Sequence, residues 1–212
     1  MESNNANCTI TSLCELAYKY GTDKCPQIKH AYTPYYYALF NQRRLSTKKV
    51  LEIGVGSTRK NKPKPKVVHE LGVKTHLSRG ASLYMWREFF PNAQIFGADI
   101  RTETIFEEER IKTYLCDERK KEDLVNLIKN TGSDIDLLID DASHHVDDQI
   151  FSAQTLLPLL KRGVTYIIED VTHSKLIRKA LGDGYTYYLP QIPRKWHGGM
   201  LLVVTNKHYG IK

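Results

Sequence analysis

The chain has 212 residues, 41% of them hydrophobic and 26% charged, with a formal net charge of +7. That is enough for a single domain with a sizeable core, and no run approaches the roughly 18 apolar residues of a membrane-spanning helix. The positive balance permits an anionic partner without requiring one.

The first residues, MESNNANC, lack the basic and apolar regions of a secretory signal, so a cytoplasmic, reducing setting is expected. Asn7-Cys8-Thr9 then reads as a chance glycosylation match. Cys8, Cys14, Cys25 and Cys116 show no C-x-x-C spacing, which indicates neither a zinc site nor a disulfide framework. Ser12-x-x-Glu15 is a capping-box pattern ahead of Leu13, Leu16, Ala17 and Tyr20 at helical spacing, and Gly21 stops that helix. Thr33-Pro34, a cap residue followed by proline at the first helical position, opens a second helix into YYYALFNQRR. VLEIGV (residues 50–55) is a buried-strand run, SLYMWREFF (82–90) a helix ended by Pro91, and QIFGA a strand ending at Asp99. IKTYLC is a strand ending at Asp117, and DLVNLIKN is helical. IDLLI runs as a strand into Asp140 and Asp141, and the next helix puts Val146, Ile150, Ala153 and Leu157 on one face. VTYII ends at Glu169 and Asp170, and YTYYL with MLLVVT forms a C-terminal antiparallel hairpin. Strands alternating with helices predict an α/β fold, a mostly parallel sheet with helices on both faces.

In such sheets ligands bind beyond the carboxyl ends of the strands. Five consecutive strands carry acid in or just after them: Glu52, Asp99, Asp117, the Asp140-Asp141 pair and the Glu169-Asp170 pair. A nicotinamide cofactor would suit the turn at Gly54 and Gly56, but the third glycine of G-x-G-x-x-G is missing and a carboxylate rim repels a pyrophosphate. S-adenosylmethionine fits better, with a sulfonium, an ammonium, a ribose and an adenine. On that reading Asp99 accepts the ribose hydroxyls, Asp117 lies near the adenine, and the Glu52–Gly56 turn passes the methionine portion. Asp141, Glu169 and Asp170 close neighbouring strands and form a cage for magnesium or another hard divalent cation. Such an ion could acidify a hydroxyl, and His144 could take the proton as general base.

These residues resemble one family. KYGTDK (19–24) with HAYTPYYYALF (30–40) is similar to the N-terminal signature of the metal-dependent class I S-adenosylmethionine-dependent sugar O-methyltransferases, typified by the macrocin and mycinamicin enzymes. The likeness continues through VLEIGVG, GASLYMWREFFPNAQIFGADI, LLIDDASHH, LLPLLKRGVTYIIEDV and LLVVTNK, and its most specific parts are the G-x-S-L-x-x-W helix and the DDxSH stretch. The resemblance implies a Rossmann-like class I methyltransferase fold over residues 46–212, with residues 1–45 as an N-terminal helical lid segment of the same single domain. It implies Asp141 and Asp170 as metal ligands with Glu169 adjacent, and His144 as the base. Tyr20 and Thr22 in the lid, Ser82 at the start of the specific helix, and Asp140 join Glu52, Gly54, Gly56, Asp99 and Asp117 as cofactor-binding residues. The acceptor implied is a sugar or glycan hydroxyl, such as that of a deoxysugar like rhamnose.

A segment at 57–79, STRKNKPKPKVVHELGVKTHLSR, interrupts the pattern and reads either as a flap at the acceptor side or as a basic loop without structure. Trp196, in the aromatic and basic stretch after the first hairpin strand, could stack on a sugar ring or simply pack. A catechol-type O-methyltransferase is the nearest rival. An RNA methyltransferase is suggested by charge alone, since aromatic interleaving of the basic stretches is missing. A non-catalytic module is opposed by the intact acid pairs, and a homo-oligomer stays open.

Overall fold

The structure, a computed structural model, describes residues 9–56, 80–190, 192 and 200–206. The 57–79 segment, Trp196, the basic run 59–66 and Cys8 lie outside the described residues. In chain order the elements are α1 (Ser12–Tyr20), α2 (Thr33–Phe40), β1 (Lys49–Ile53), α3 (Ala81–Phe89), β2 (Gln94–Asp99), β3 (Glu107–Glu108), β4 (Ile111–Leu115), α4 (Lys121–Thr131), β5 (Leu137–Asp140), α5 (Val146–Leu156), β6 (Thr165–Val171), α6 (Ser174–Leu181), β7 (Tyr185–Tyr188) and β8 (Met200–Asn206).

They build one sheet in the order β3-β4-β2-β1-β5-β6-β8-β7. Strands β4, β2, β1, β5 and β6 run parallel, while β3, β8 and β7 are antiparallel to their neighbours. The predicted hairpin is therefore present as β7 and β8. The central strands are apolar on both sides because both sides are covered. Leu13, Tyr36, Phe40, Leu83, Trp86 and Phe89 from α1, α2 and α3 pack on Val50, Ile95, Leu137, Ile139 and Ile167. On the other face Leu124, Leu127, Ala153, Leu156 and Ile177 from α4, α5 and α6 pack on Leu51, Ile53, Leu138, Tyr166 and Ile168. Among the described residues, no helix is long and apolar enough to cross a membrane.

Several boundaries differ from the sequence reading. The cap of α1 is Thr11, whose side chain accepts from Cys14 N, and Ser12 is already helical; Gly21 ends the helix in the left-handed region as expected. Thr33 is the first residue of α2 rather than its cap, because its hydroxyl is turned to Cys14 Sγ, 3.2 Å away. Glu169 and Asp170 lie inside β6, not after it; the sequence reading has no counterpart to α6, and the two-residue β3 is too brief to carry a period. Cys14, Cys25 and Cys116 are buried free thiols, and burial pushes Cys25 up to about 11 and Cys116 to about 12. The basic stretch 43–49 is largely structural. Arg43 lies over the Phe40 ring and donates to Thr165 Oγ1 at 3.0 Å, and Lys49 reaches Asp134 at 2.5 Å.

The strand order reverses at β1, with β2 on one side and β5 on the other, which opens a crevice at their carboxyl ends. Ile53 is level with Ala98 and Asp140. Just beyond, Gly54 N donates to Ala98 O at 2.8 Å and Asp141 N to Ile53 O at 2.9 Å. Gly54 has φ +91°, and a Cβ there would stand 2.1 Å from Asp141 O, whereas a Cβ on Gly56 (φ +73°) would meet none of the described residues within 4 Å. Gly56→Ala should cost about the 1–2 kcal/mol of one left-handed residue. Gly54→Ala should cost clearly more, because backbone must also move. Urea denaturation of the two variants checks this, and equal losses would refute the close approach.

Candidate active site

Alternation along the strands sorts the acids by face. In β6, Ile167 belongs to the face of α1–α3 and Ile168 to the opposite face, so Glu169 turns back towards α1–α3. The pairing with β8 then shifts register between Ile168 and Val171, and Asp170 has φ +51°. Such a bulge re-aims a side chain, and here it sends Asp170 to the sheet edge beside the β5–α5 loop. The same alternation puts Asp140 on the α5 side, where it accepts from Tyr166 Oη (2.8 Å) and Ser152 Oγ (3.2 Å). Its neighbour Asp141 faces the N-terminal segment.

That segment carries a residue the sequence reading did not single out. Lys24, 2% exposed, places Nζ 2.5 Å from Asp141 Oδ2, 2.7 Å from Glu169 Oε2 and 3.3 Å from Glu52 Oε1. Burial alone would depress its ammonium, but Asp141, Glu169 and Glu52 outweigh burial and hold it well above the ordinary range. Further oxygens around it have donors of their own. Tyr36 Oη donates to Glu169 Oε1 (2.6 Å) and Trp86 Nε1 to Glu52 Oε2 (2.8 Å). Tyr32 Oη donates to Asp170 Oδ1 (2.7 Å), with its ring stacked on His30 at 4.8 Å. His30 Nε2 lies 4.0 Å from that same oxygen. Burial lowers the His30 pKa against the pull of Asp170. The two tyrosines and the lysine were visible in KYGTDK and HAYTPYYYALF, but nothing in their spacing aimed them at acids more than a hundred residues away.

Outside this cage, Asp141, His144 and Asp170 each offer one ligand atom, and these atoms lie within 4.8 Å of one another. His144 Nε2 is 3.7 Å from Asp170 Oδ2, and its side chain is 55% exposed against 18% for Asp170. The two carboxylates are hard oxygen donors that fit one divalent cation, and the exposed imidazole stands beside them. Glu169 is outside this group, since Lys24 and Tyr36 occupy both its oxygens.

Next to the trio, the Gly54–Gly56 turn is held from β2. Asp99, 7% exposed, accepts from Gly56 N (3.2 Å) and Arg101 N (3.0 Å). Among the described residues each of its oxygens accepts one hydrogen bond and keeps a further acceptor position. Asp117 is gripped by Arg119 at 2.9 and 3.1 Å, and that hydrogen bond lowers its pKa. Ser82 and Glu52 are buried together under Trp86, with Glu52 turned to Lys24. Thr22 is buried and its carbonyl faces the Cys25 thiol at 3.9 Å. The Tyr20 hydroxyl donates to Glu88 and its ring stacks on Tyr84 at 6.0 Å, so this side chain lies against α3 and away from the trio.

No family model matches the chain. It is 35% identical over 159 residues to mycinamicin VI 2''-O-methyltransferase of Micromonospora griseorubida, covering 75% of this chain and 36% of that protein. It is 34% identical over 168 residues to demethylmacrocin O-methyltransferase of Streptomyces fradiae, covering 78% and 38%. The structure superposes on that of the MycE methyltransferase from the mycinamycin biosynthetic pathway in complex with Mg, SAH and mycinamycin VI. There the TM-score is 0.70 at 27% identity, over 95% of this chain and 57% of the other. The chain thus spans little more than a third of the length of these curated relatives. It resembles the sugar O-methyltransferases over three-quarters of its own length and has their Rossmann-like class I methyltransferase fold.

Removing one partner of a buried ion cluster typically costs about 3–5 kcal/mol, and Lys24→Met should fall in that range. Burial already raises the Glu52 carboxyl against the pull of Lys24, and it raises Glu169 well above its ordinary value in the same way. Without Lys24 both rise further. Groups raised in the folded state make it bind more protons than the unfolded one, so stability present below the unfolded value is lost as pH rises. The variant's deficit should therefore be larger at about pH 8 than at about pH 5 by urea unfolding. A deficit independent of pH would contradict the cage.

Proposed function

We propose that this chain forms the catalytic domain of an S-adenosylmethionine-dependent O-methyltransferase that methylates a sugar hydroxyl with the help of a divalent cation. The single observation that carries the reading is the meeting of Asp141, His144 and Asp170 beside the glycine turn that Asp99 holds, in a chain related to sugar O-methyltransferases. A deoxysugar such as rhamnose, within a glycan or natural product, is the acceptor class we infer from those relatives.

On this reading Asp99 accepts the ribose hydroxyls, and the Gly54–Gly56 turn lets the cofactor approach backbone that a Cβ would obstruct. Asp117, fixed by Arg119, faces the adenine. Glu52, Ser82 and Asp140 act from behind, by holding the strand ends that form the floor. Tyr20, Thr22 and Lys24 belong to a segment that closes over the cofactor, and excluding water there protects the methyl group from a competing nucleophile. When bound, the cofactor would supply an electrophilic methyl group for in-line transfer to the acceptor oxygen, with S-adenosylhomocysteine as the leaving group. Asp141 and Asp170 would hold the cation, which when bound lowers the pKa of the acceptor hydroxyl. For Glu169 to join them, Lys24 would have to surrender its Oε2. His144, exposed and 3.7 Å from Asp170 Oδ2, takes the hydroxyl proton on an imidazole nitrogen, and Asp170 stabilises the imidazolium that results.

S-adenosylhomocysteine at about a hundred times its dissociation constant should raise stability by about 2.7 kcal/mol in a thermal melt, with a further rise on adding magnesium. Asp141→Asn and Asp170→Asn should lose the magnesium increment and keep the nucleoside one. Lack of any nucleoside shift would sink the reading. His144→Ala should keep both shifts and lose about 10²–10⁴ in kcat on a glycoside acceptor. An unchanged kcat would remove His144 from the base role alone.

A further inference from the structure

The loop from Asp141 to His145 carries two members of the trio, and its shape must be fixed for them to converge. Its ends are anchored by backbone: Asp141 N donates to Ile53 O at 2.9 Å, and Gln149 N to His145 O at 3.0 Å. Ser143 organises its own neighbourhood, with Oγ donating to Asp148 Oδ2 (2.7 Å) and accepting from His145 N (3.2 Å). The tie from elsewhere in the fold comes from Glu118, which follows β4. Glu118 Oε1 accepts from Ser143 N at 2.7 Å.

Glu118 is 6% exposed, too deep for an idle surface acid. Its Oε2 lies 3.5 Å from Ser152 Oγ, which in turn donates to Asp140 Oδ2 at 3.2 Å. Asp140 Oδ1 is buried with no hydrogen-bond partner, so a donor on the second atom of the Glu118 carboxyl would satisfy it. Burial, then the nearby Asp140 charge, raises Glu118, consistent with a protonated carboxyl that can supply that donor.

We propose that Glu118 is a positioning residue. It holds the Ser143 amide, and through it sets where Asp141 and His144 stand for the divalent cation and the acceptor. This rests on the functional reading above, and it assigns a role to a residue that contacts neither the reacting atoms nor the ion.

The test uses Mn²⁺ as probe, titrated by electron paramagnetic resonance into the full chain. Glu118→Ala should fold by circular dichroism and bind Mn²⁺ about tenfold or more weakly, the scale of losses when a ligand's outer support is removed. Glu118→Gln keeps Oε1 for Ser143 and offers an amide donor to Asp140 Oδ1, so it should bind within about threefold of the parent. An alanine variant that binds like the parent, or a glutamine variant as weak as alanine, would overturn the proposal. Ser152→Ala touches the same carboxyls without touching the loop and should leave the affinity unchanged; a loss there equal to that of Glu118→Ala would mean general loosening and overturn it. If the alanine variant does not fold, the Ser143 amide decides: slow hydrogen exchange in parent and Glu118→Gln supports the clamp, fast exchange in the parent defeats it. A parent that binds no Mn²⁺ would end the functional reading and this inference together, whereas binding indifferent to Glu118 ends this inference alone.

Discussion

A single ammonium group at the centre of three carboxylates sets the terms for the rest of the structure. Burying Glu52 and Glu169 in a sheet core costs several kcal/mol per ion unless each charge is paired and each oxygen satisfied. Lys24 supplies the opposite charge, Trp86 and Tyr36 each satisfy one further oxygen, and Glu52 Oε1 has the Lys24 ammonium at 3.3 Å in place of a hydrogen bond. Because the cation comes from the N-terminal segment and the anions come from β1, β6 and the β5–α5 loop, the pairing also decides where that segment sits. α1 and α2 are then not an appendage. Their Leu13, Ala17, Tyr36 and Phe40 share one apolar cluster with Trp86 and Phe89 of α3, and detaching them would strand buried charge as well as expose apolar surface.

Strand periodicity explains why neighbouring acids have different surroundings. A period of two sends Asp140 to the α5 face and Asp141 to the opposite one, so one aspartate meets Tyr166 and Ser152 while the next meets Lys24. In β6 the same rule buries Glu169, and the bulge breaks it for Asp170. A left-handed aspartate costs about 1–3 kcal/mol, and it persists because Tyr32 Oη and the pairing of β6 with β8 hold it. What that strain achieves is geometric: without the bulge Asp170 would follow the pleat to the α5 side, away from the Asp141 oxygens.

Much of the frame was legible in the sequence, because it rests on local signals. Long apolar runs ending in acid gave the parallel strands, Gly21 gave a helix end, and the final alternating segments gave the hairpin. The acids at the strand ends and the DDxSH stretch pointed to the carboxyl edge of the sheet, where Asp141, His144 and Asp170 lie together. The cage was not legible, because its parts are brought together by tertiary packing alone. Lys24 is 145 residues from Glu169, and a lysine near a helix end looks like any solvated lysine. Glu118 was hidden for a different reason: it follows Asp117, which has the more conventional place at a strand end, and only the fold shows which of the two turns inward.

The arrangement places an inner set of three carboxyls sharing one ammonium directly behind an outer, open set, with Asp141 common to both. Its Oδ2 belongs to Lys24, so what it offers a cation is the remainder of its charge. A bare cluster of Glu52, Asp141, Glu169 and Asp170 would hold four negative charges in one place, which would bind a divalent ion tightly but would also resist folding in its absence. One buried lysine lowers that repulsion permanently, and so lets the polypeptide fold around the site before any ion arrives. The corollary is that a bound ion would not have to organise the inner wall. It would meet two carboxylates already aimed, one by a bulge and one by a loop, beside an imidazole that alone of the three is largely exposed.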